Sequence, residues 1–424
     1  MLLERVNNFL IYLFVFSLPF TAFSVFSFGG KSVILSWFLI SLLVVLNFQK
    51  FKKISEEVII LCVWIFILFL SVVSIGFSQG FISVKFFYQL LNAGIMMIHI
   101  PVLCLVIKDK NLKYVKKLIN ILLFSAFLSA LYGFYQYLSF LNFLPQIDIL
   151  RNADIYCIYK GVGIEGWSGT YRSYGFFPEP SFWACFLLIP MSFLAPYLFS
   201  FRKFWIEKFL FLMFLLSLFI TFGRSGWVGF LLMILIFPFT AKINLKSKIL
   251  YFTMALVLLL LFFGSCLSGY LKLPILSDLS FYQRFGAQAA AYEIFLERPL
   301  LGVGFGNFEN FADDYFTYKE ENISFLVAHN FYLRILAETG LIGFAFFLFF
   351  LCFLYKKIND AKRIVYKTKN ESARKIVQGT ELSFFSILFF WIFVACYNFS
   401  YIWFIFALIA ILIKLLKKNY ENSC

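Results

Sequence analysis

The sequence predicts an all-α integral membrane protein with about twelve transmembrane helices and both termini in the cytoplasm. Three observations support this prediction: the composition, the lengths of the apolar runs, and the placement of positive charge between them. Hydrophobic residues make up 62% of the 424 residues, charged residues only 14%, and the mean hydropathy is +0.87. Soluble domains carry about 25% charged residues, so this composition excludes a soluble globular protein.

Apolar runs long enough to cross a membrane recur along the chain. A helix needs about 20 residues to span a hydrocarbon core of roughly 30 Å. The predicted spans are 9–28, 33–48, 58–78, 86–107, 114–140, 181–200, 204–222, 226–240, 249–267, 331–355, 381–398 and 400–416. The second and eighth are short and could be tilted or partly re-entrant, so a count of eleven to thirteen also fits the runs.

Positive charge between the runs orients them. Cytoplasmic loops are enriched in Lys and Arg, and most of the 37 basic residues fall in alternate connections. These residues lie in 50–53, 108–117, 202–208, 242–248 and 356–375, and at the two chain ends. This topology accounts for most of the net charge of +15 through contacts with anionic lipid, so no nucleic acid partner is required.

The predicted organisation is a membrane bundle interrupted by two long periplasmic loops. Its segments are helices 1–5 (1–140), a periplasmic loop (141–180), helices 6–9 (181–267), a large periplasmic loop with an amphipathic helix (268–330), and helices 10–12 (331–424) with a basic cytoplasmic loop at 356–380. The other external connections are only a few residues long. Extracytoplasmic chemistry must therefore be built from the two long loops and the neighbouring helix ends.

Arginine is concentrated on the predicted outer side. Six arginines fall there: Arg151, Arg172, Arg224, Arg284, Arg298 and Arg334. A guanidinium presents a planar fork of donors that matches phosphate and carboxylate oxygens, whereas lysine suffices for orientation. This bias predicts an anionic ligand on the outer face; the alternative is chance combined with contacts to lipid headgroups.

The first periplasmic loop ends in a run rich in aromatic residues and proline, 171–184. Its prolines, Pro178 and Pro180, end the irregular stretch, and we expect Arg172 and Glu179 to be held near the membrane surface. One interpretation is a phosphate-binding arginine beside an acid or base. The other is an interfacial aromatic belt with a salt bridge between the two residues.

The second periplasmic loop contains an amphipathic helix, predicted from Tyr282 to Glu297, that carries Arg284. It ends before a proline, and alternating glycines, Gly302 and Gly304, follow. Glycine lets the backbone approach a ligand closely and could turn amides toward phosphate oxygens.

Two adjacent carboxylates follow in the same loop, Asp313 and Asp314. They could bind a divalent cation, but such pairs in loops are usually only solvated. No metal site is therefore predicted.

Arg224 and the two histidines are the remaining notable polar groups near the apolar runs. A guanidinium at the membrane edge is costly unless it reaches water or is paired, so Arg224 either extends to the headgroups or forms an anion site in the outer mouth of the bundle. His329 precedes the tenth span and is a candidate general base, because imidazole titrates near neutral pH. His99 lies deeper and is predicted to be a hydrogen-bonded packing residue.

These motifs resemble those of the O-antigen ligase and O-antigen polymerase superfamily, bacterial envelope enzymes that transfer lipid-linked glycans. The ligase pattern is His, then Asn, Ser or Gln, nine residues, Gly, two residues, and Gly, Thr or Tyr; it is matched by His329, Asn330, Gly340 and Gly343. The stretch 223–225, Gly-Arg-Ser, is similar to the family's Ser/Gly-Arg-Ser turn. Arg284, preceding 299–304, is similar to its loop arginine.

The resemblance implies a glycosyltransferase that takes a glycan from undecaprenyl diphosphate at the periplasmic face of the inner membrane, without a cofactor. Arg224 and Arg284, with Arg172 as a third candidate, would stabilise the departing diphosphate without a metal. His329 would accept the proton of the attacking hydroxyl, with Glu179 as the competing base. Further candidates for substrate binding are Arg298, Arg334, Asn330, Gly302 and Gly304.

The acceptor remains open between two enzymes of this superfamily. A ligase transfers to a sugar of the lipid A core, whereas a polymerase transfers to a second lipid-linked glycan. The 177–181 stretch is at least as similar to polymerases, but the Arg-ten residues-Gly motif of some polymerases is absent, which favours a ligase. A lipid-glycan flippase or transporter is a further alternative; it predicts charged residues deep in the bundle, whereas this chain keeps them at the external edge.

Overall fold

Helices make up nearly all of the regular structure in the computed structural model. It describes residues 2–28, 31–52, 94, 98–145, 172–198, 204–240, 249, 252–253, 256, 279–315, 328–368, 370–395 and 397–421. In chain order, the helices are α1 (Leu2–Ser17), α2 (Leu35–Asn47), α3 (Ile98–Ile107), α4 (Leu112–Phe140), α5 (Pro180–Leu194), α6 (Trp205–Ile220), α7 (Arg224–Thr240), α8 (Leu279–Glu297), α9 (Phe308–Tyr315), α10 (Phe331–Thr368), α11 (Glu371–Phe390) and α12 (Ser400–Glu421). Short 3-10 helices follow α2 and α5, at Phe48–Lys52 and Ala195–Tyr197.

The described helices have the lengths and surfaces of a membrane protein. Four segments are long and apolar enough to cross a membrane: α4, Pro180–Tyr197, α10 and Ser400–Lys418. Leu35–Lys50, Ile98–Ile107 and Arg224–Thr240 are shorter apolar helices. Large apolar side chains such as Phe124 and Phe349 are exposed, as expected where lipid rather than water surrounds the bundle. The count of twelve stays a prediction, because 58–78 and most of 249–267 lie outside the described residues.

The centre of the bundle is formed by α5 and α12, which are buried on nearly all sides. Small residues allow the neighbouring helices to approach α5 closely. A methyl group added to Gly226 of α7 would lie 2.7 Å from the Cβ of Ala184, and one added to Gly379 of α11 would lie 2.6 Å from the ring of Phe193. The helix that carries Glu179 at its start is therefore fixed by close packing.

The chain ends lie at one end of the bundle. Lys110 Nζ is 2.6 Å from the carboxylate of Glu4 at the start of α1, and Lys418 Nζ, near the end of α12, donates to the carbonyl of Asp109 at 2.6 Å. At the opposite end, the Ala22 amide donates to the carbonyl of Phe176 at 2.9 Å. The residues around the start of α5 therefore lie at the end remote from the termini.

Two regions differ from the sequence prediction. The predicted span 9–28 is helical only to Ser17, because Pro19 disfavours helix at the residue before it; the chain then forms an antiparallel hairpin of β1 (Ser24–Phe28) and β2 (Lys31–Ile34), pairing Phe28 with Lys31. The segment 356–380, predicted as a solvated loop, is mostly helical, because apolar residues at helical spacing, such as Ile358 and Val365, are buried. The helix predicted from Tyr282 to Glu297 is present as α8.

Candidate functional site

The candidate site begins where the segment before α5 meets the turn between α6 and α7. The Ser173 amide donates to the Ile220 carbonyl at 3.0 Å, and Arg172 Nε donates to the Thr221 carbonyl at 3.0 Å. The hydroxyl of Thr221 accepts from the Gly223 amide at 3.0 Å. Arg224, half-buried, is the first residue of α7. Arg172 and Arg224 are thus carried by two stretches of backbone that are bonded to each other.

Glu179 connects this turn electrostatically to α8. It lies at the N-cap position of α5, with extended backbone before Pro180, and its side chain is half-buried. Burial raises the pKa of this carboxyl, and the positive charges of Arg172 and Arg284 oppose the rise. Two arginines that are far apart in the sequence therefore act on one carboxyl group.

His329 lies beside the same arginine of α8. Its half-buried imidazole has a pKa lowered to about 4, first by burial and then by the positive charge of Arg284. At neutral pH the ring is consequently uncharged and can accept a proton. The structure thus gathers Arg172, Glu179, Arg284 and His329 in one electrostatically coupled group, with Arg224 on the turn that Arg172 binds.

Asn330 and Arg334, which are predicted to bind substrate, have contacts within the protein. Asn330 Oδ1 accepts from the Leu333 amide at 3.1 Å, so its side chain caps the start of α10. The buried guanidinium of Arg334 lies 3.0 Å from Glu338 Oε1 and 3.5 Å from Glu309 Oε1. These two carboxylates pair with Arg334 within the protein.

The amides of Gly302 and Gly304 bind protein carbonyls and do not face an open anion site, contrary to the prediction. Gly302 donates to Arg298 O at 3.0 Å and Gly304 to Glu338 O at 2.8 Å. For Gly304 the reason is a kink in α10 at Gly340 (φ 63, ψ −168), which frees backbone groups of that helix. The glycine-rich segment, defined here as residues 299–306, binds them.

The remaining predicted residues lie around this segment. Arg298 is exposed, and its guanidinium lies 5.1 Å from the ring centroid of Phe311. Asp314 is exposed in α9, whereas the side chain of Asp313 lies outside the described residues. His99 is fully buried, with Nε2 2.9 Å from the hydroxyl of Ser400, so its prediction as a packing residue is confirmed.

Glu338 is a residue that the sequence analysis missed. It is fully buried and accepts hydrogen bonds from Arg334 and from the amide of Phe308. Its position four residues after Arg334 in an otherwise apolar run indicates an ion pair between the two side chains, because residues at that spacing are neighbours on a helix.

Comparison with protein-family models matches residues 209–348 to the family described as O-antigen ligase, Wzy_C. This segment includes Arg224, Arg284, His329 and Gly340, the residues on which the resemblance depended, and the superfamily assignment is confirmed for this part of the chain. Comparison with curated proteins gave no match.

Proposed function

We propose that this chain, with its O-antigen ligase segment, moves a glycan from undecaprenyl diphosphate to a sugar hydroxyl of the lipid A core. The reaction would take place at the periplasmic face of the bacterial inner membrane. The observation that carries the proposal is the coupled group itself: Arg284 acts on both Glu179 and His329, and Arg172 acts on Glu179 as well. A strong positive charge beside a neutral imidazole suits the transfer of a group from an anionic leaving group to a hydroxyl.

The arginines would bind the diphosphate. Negative charge on the diphosphate grows as the bond from sugar to phosphate breaks, and fixed guanidinium groups stabilise that charge without moving. Arg172 Nε donates to the Thr221 carbonyl, and this hydrogen bond orients the guanidinium. Arg224 and Arg284 would supply the other positive charges.

His329 would be the general base. A pKa of about 4 is low for this role at neutral pH, because a base is most effective when its pKa is near the operating pH. Binding of the donor would raise this pKa, since the diphosphate's negative charge offsets the charge of Arg284, which lowers the pKa of the imidazole second to burial. Glu179 is the competing base, with its own pKa raised by burial.

A groove beside α7, the helix that begins at Arg224, would hold the prenyl chain. The groove lies between α7 and α11 and is lined mainly by apolar side chains, including Met233, Ile236, Leu382 and Phe389. A helix rises 1.5 Å per residue, so Ile236 lies roughly 18 Å along α7 from Arg224. A diphosphate bound near Arg224 would leave its tail beside this groove.

Purified protein given a labelled lipid-linked glycan tests the proposal. Label that moves to lipid A core supports the ligase. Label that lengthens on the prenyl lipid would instead identify a polymerase, the second candidate, which uses the same donor and is favoured by the aromatic stretch around Glu179. Exchange between leaflets without bond cleavage would identify a flippase and contradict the proposal.

A further inference from the structure

We infer that Glu338 is a positioning residue, which holds the glycine-rich segment on α10 and thereby fixes Arg284 relative to His329. The role in transfer rests on the proposed function, whereas the mechanical role rests on the contacts alone. Neither the ligase pattern at 329–343 nor the family match assigns a task to this carboxylate.

The backbone of α10 opens at the kink and pairs with the glycine-rich segment. In an uninterrupted helix, the amides of residues 341 and 342 would donate to the carbonyls of residues 337 and 338. All four groups instead bind the segment, through Leu341 N to Pro299 O (2.8 Å), Ile342 N to Leu300 O (3.3 Å), Val303 N to Ala337 O (3.0 Å) and Gly304 N to Glu338 O (2.8 Å). The segment therefore replaces a turn of helix.

The side chain of Glu338 extends this pairing to α9. Its Oε1 accepts from Arg334 Nε at 3.0 Å and from the amide of Phe308, the first residue of α9, at 3.3 Å; the Gly306 amide also bonds to the carboxylate. Arg334 in turn reaches Glu309 at 3.5 Å. One carboxylate thus connects α10, the end of the glycine-rich segment and α9.

Stability alone does not require such a group. Burying an ion pair removes two charges from water, and a well-packed apolar pair is often equally stable. What the carboxylate adds is direction, because it binds particular amides at particular distances. An apolar pair in the same place could not bind these amides.

The two reactive side chains lie at the far ends of the elements joined here. Arg284 is about 20 Å along α8 from Glu297, and His329 is roughly 14 Å along the chain from Glu338, at 1.5 Å per helical residue. The two helices pack through small side chains, Ala287, Ala291 and Ala337 among them. Loss of the contacts that Glu338 makes with α9 and the glycine-rich segment would let α8 move, and Arg284 would change its position relative to His329.

Glu338→Ala in the full chain tests the inference, with Glu381→Ala as matched control. Glu381 is a second buried carboxylate, 2.7 Å from Lys362, and it is remote from the glycine-rich segment. Misplacement by about 1 Å can lower a rate roughly 100-fold, so Glu338→Ala should lower kcat by that order while the KM for donor changes far less. The control should retain the wild-type kcat.

A second variant separates positioning from charge compensation. Arg334→Met with Glu338→Leu removes both charges and should recover the unfolding temperature lost in Glu338→Ala. Its kcat should stay low if Glu338 positions the site. Recovery of the wild-type kcat by this double variant would overturn the inference.

A distance measurement keeps the test independent of activity. Spin labels at Ala289 of α8 and Phe349 of α10, both exposed, in a chain with its eight cysteines replaced, should give a broader distance distribution in Glu338→Ala than in wild type or the control. An unchanged distribution would overturn the inference. Broadening in a protein that transfers no glycan in any variant would support the positioning and contradict the proposed function.

Discussion

Arg284 lies close enough to His329 for its positive charge to lower the pKa of the imidazole. The arginine belongs to α8, in the loop between two apolar regions, and the histidine lies two residues before Phe331, where α10 begins. Arg284 also acts on Glu179 at the start of α5. This arginine is therefore the shared neighbour of both candidate bases.

Substitution His329→Ala should largely abolish transfer and leave donor binding nearly intact. A general base acts in the transition state and contributes little to ground-state affinity. The rate should fall by about 10² to 10⁴, measured in the labelled-glycan assay beside donor affinity. Turnover near the wild-type rate would move the role of base to Glu179.

Substitution Arg284→Ala should weaken both donor binding and transfer. A hydrogen bond to a charged group contributes about 1.5–3 kcal/mol, so donor affinity should fall roughly 10- to 100-fold. Arg363→Ala is a suitable control, because Arg363 is 79% exposed and pairs only loosely with Asp360 at 3.5 Å. Equal effects of the two variants would exclude a specific role for Arg284.

The pH dependence should report the environment of His329. Its folded pKa of about 4 lies below the ordinary 6.5, so the free enzyme should keep a neutral imidazole, and kcat/KM its His329-dependent activity, until the pH approaches about 4. The decline of kcat at acidic pH should occur at a higher pH than the decline of kcat/KM, because bound diphosphate raises the pKa of His329. If kcat and kcat/KM decline at the same pH, or if their pH dependences are unchanged in His329→Ala, His329 is not the base.

The same pKa makes a prediction for stability. Below pH 6.5 the unfolded chain binds a proton at His329 that the folded protein does not, so the free energy of unfolding should decline as pH falls from 6.5 toward 4. The decline should be smaller in His329→Ala, measured by thermal unfolding in detergent. An identical decline in both proteins would show that other groups dominate.

Substitution Gly340→Ala should destabilise the protein and lower transfer. The backbone at Gly340 (φ 63, ψ −168) is in a region that side chains rarely adopt, costing about 1–3 kcal/mol, and an added Cβ would lie 2.3 Å from the Leu300 carbonyl. Gly94→Ala is the control, since none of the residues that the structure describes has an atom within 4 Å of its added Cβ. A Gly340→Ala unfolding temperature equal to that of the control would contradict the tight pairing.

Transfer should proceed in the presence of EDTA. Arginines can supply the positive charge that a metal ion supplies in other transfers of this kind. The check is the labelled-glycan assay with and without chelator. Activity lost with EDTA and restored by Mg²⁺ or Mn²⁺ would direct attention to Asp313 and Asp314.

Local pattern was sufficient for several features. The apolar composition predicts a membrane protein, the pattern from Tyr282 to Glu297 predicts the helix that carries Arg284, and the pattern from His329 to Gly343 predicts the superfamily that the family match supports. Each depends on neighbouring residues or on a fixed spacing. His99 is a similar case, because a lone polar group in an apolar helix must find a hydrogen-bond partner.

Tertiary structure decided what the polar groups bind. Gly302 and Gly304 have the flexibility to approach an anion, but their amides bond to protein: Gly302 to the carbonyl of Arg298, and Gly304 to the carbonyl of Glu338, which is free because α10 kinks at Gly340. Arg334 is in the arginine-rich set, yet buried Glu338 neutralises it. A sequence fixes which donors and acceptors a segment carries, whereas the partner of each one depends on which distant backbone the fold brings within about 3 Å.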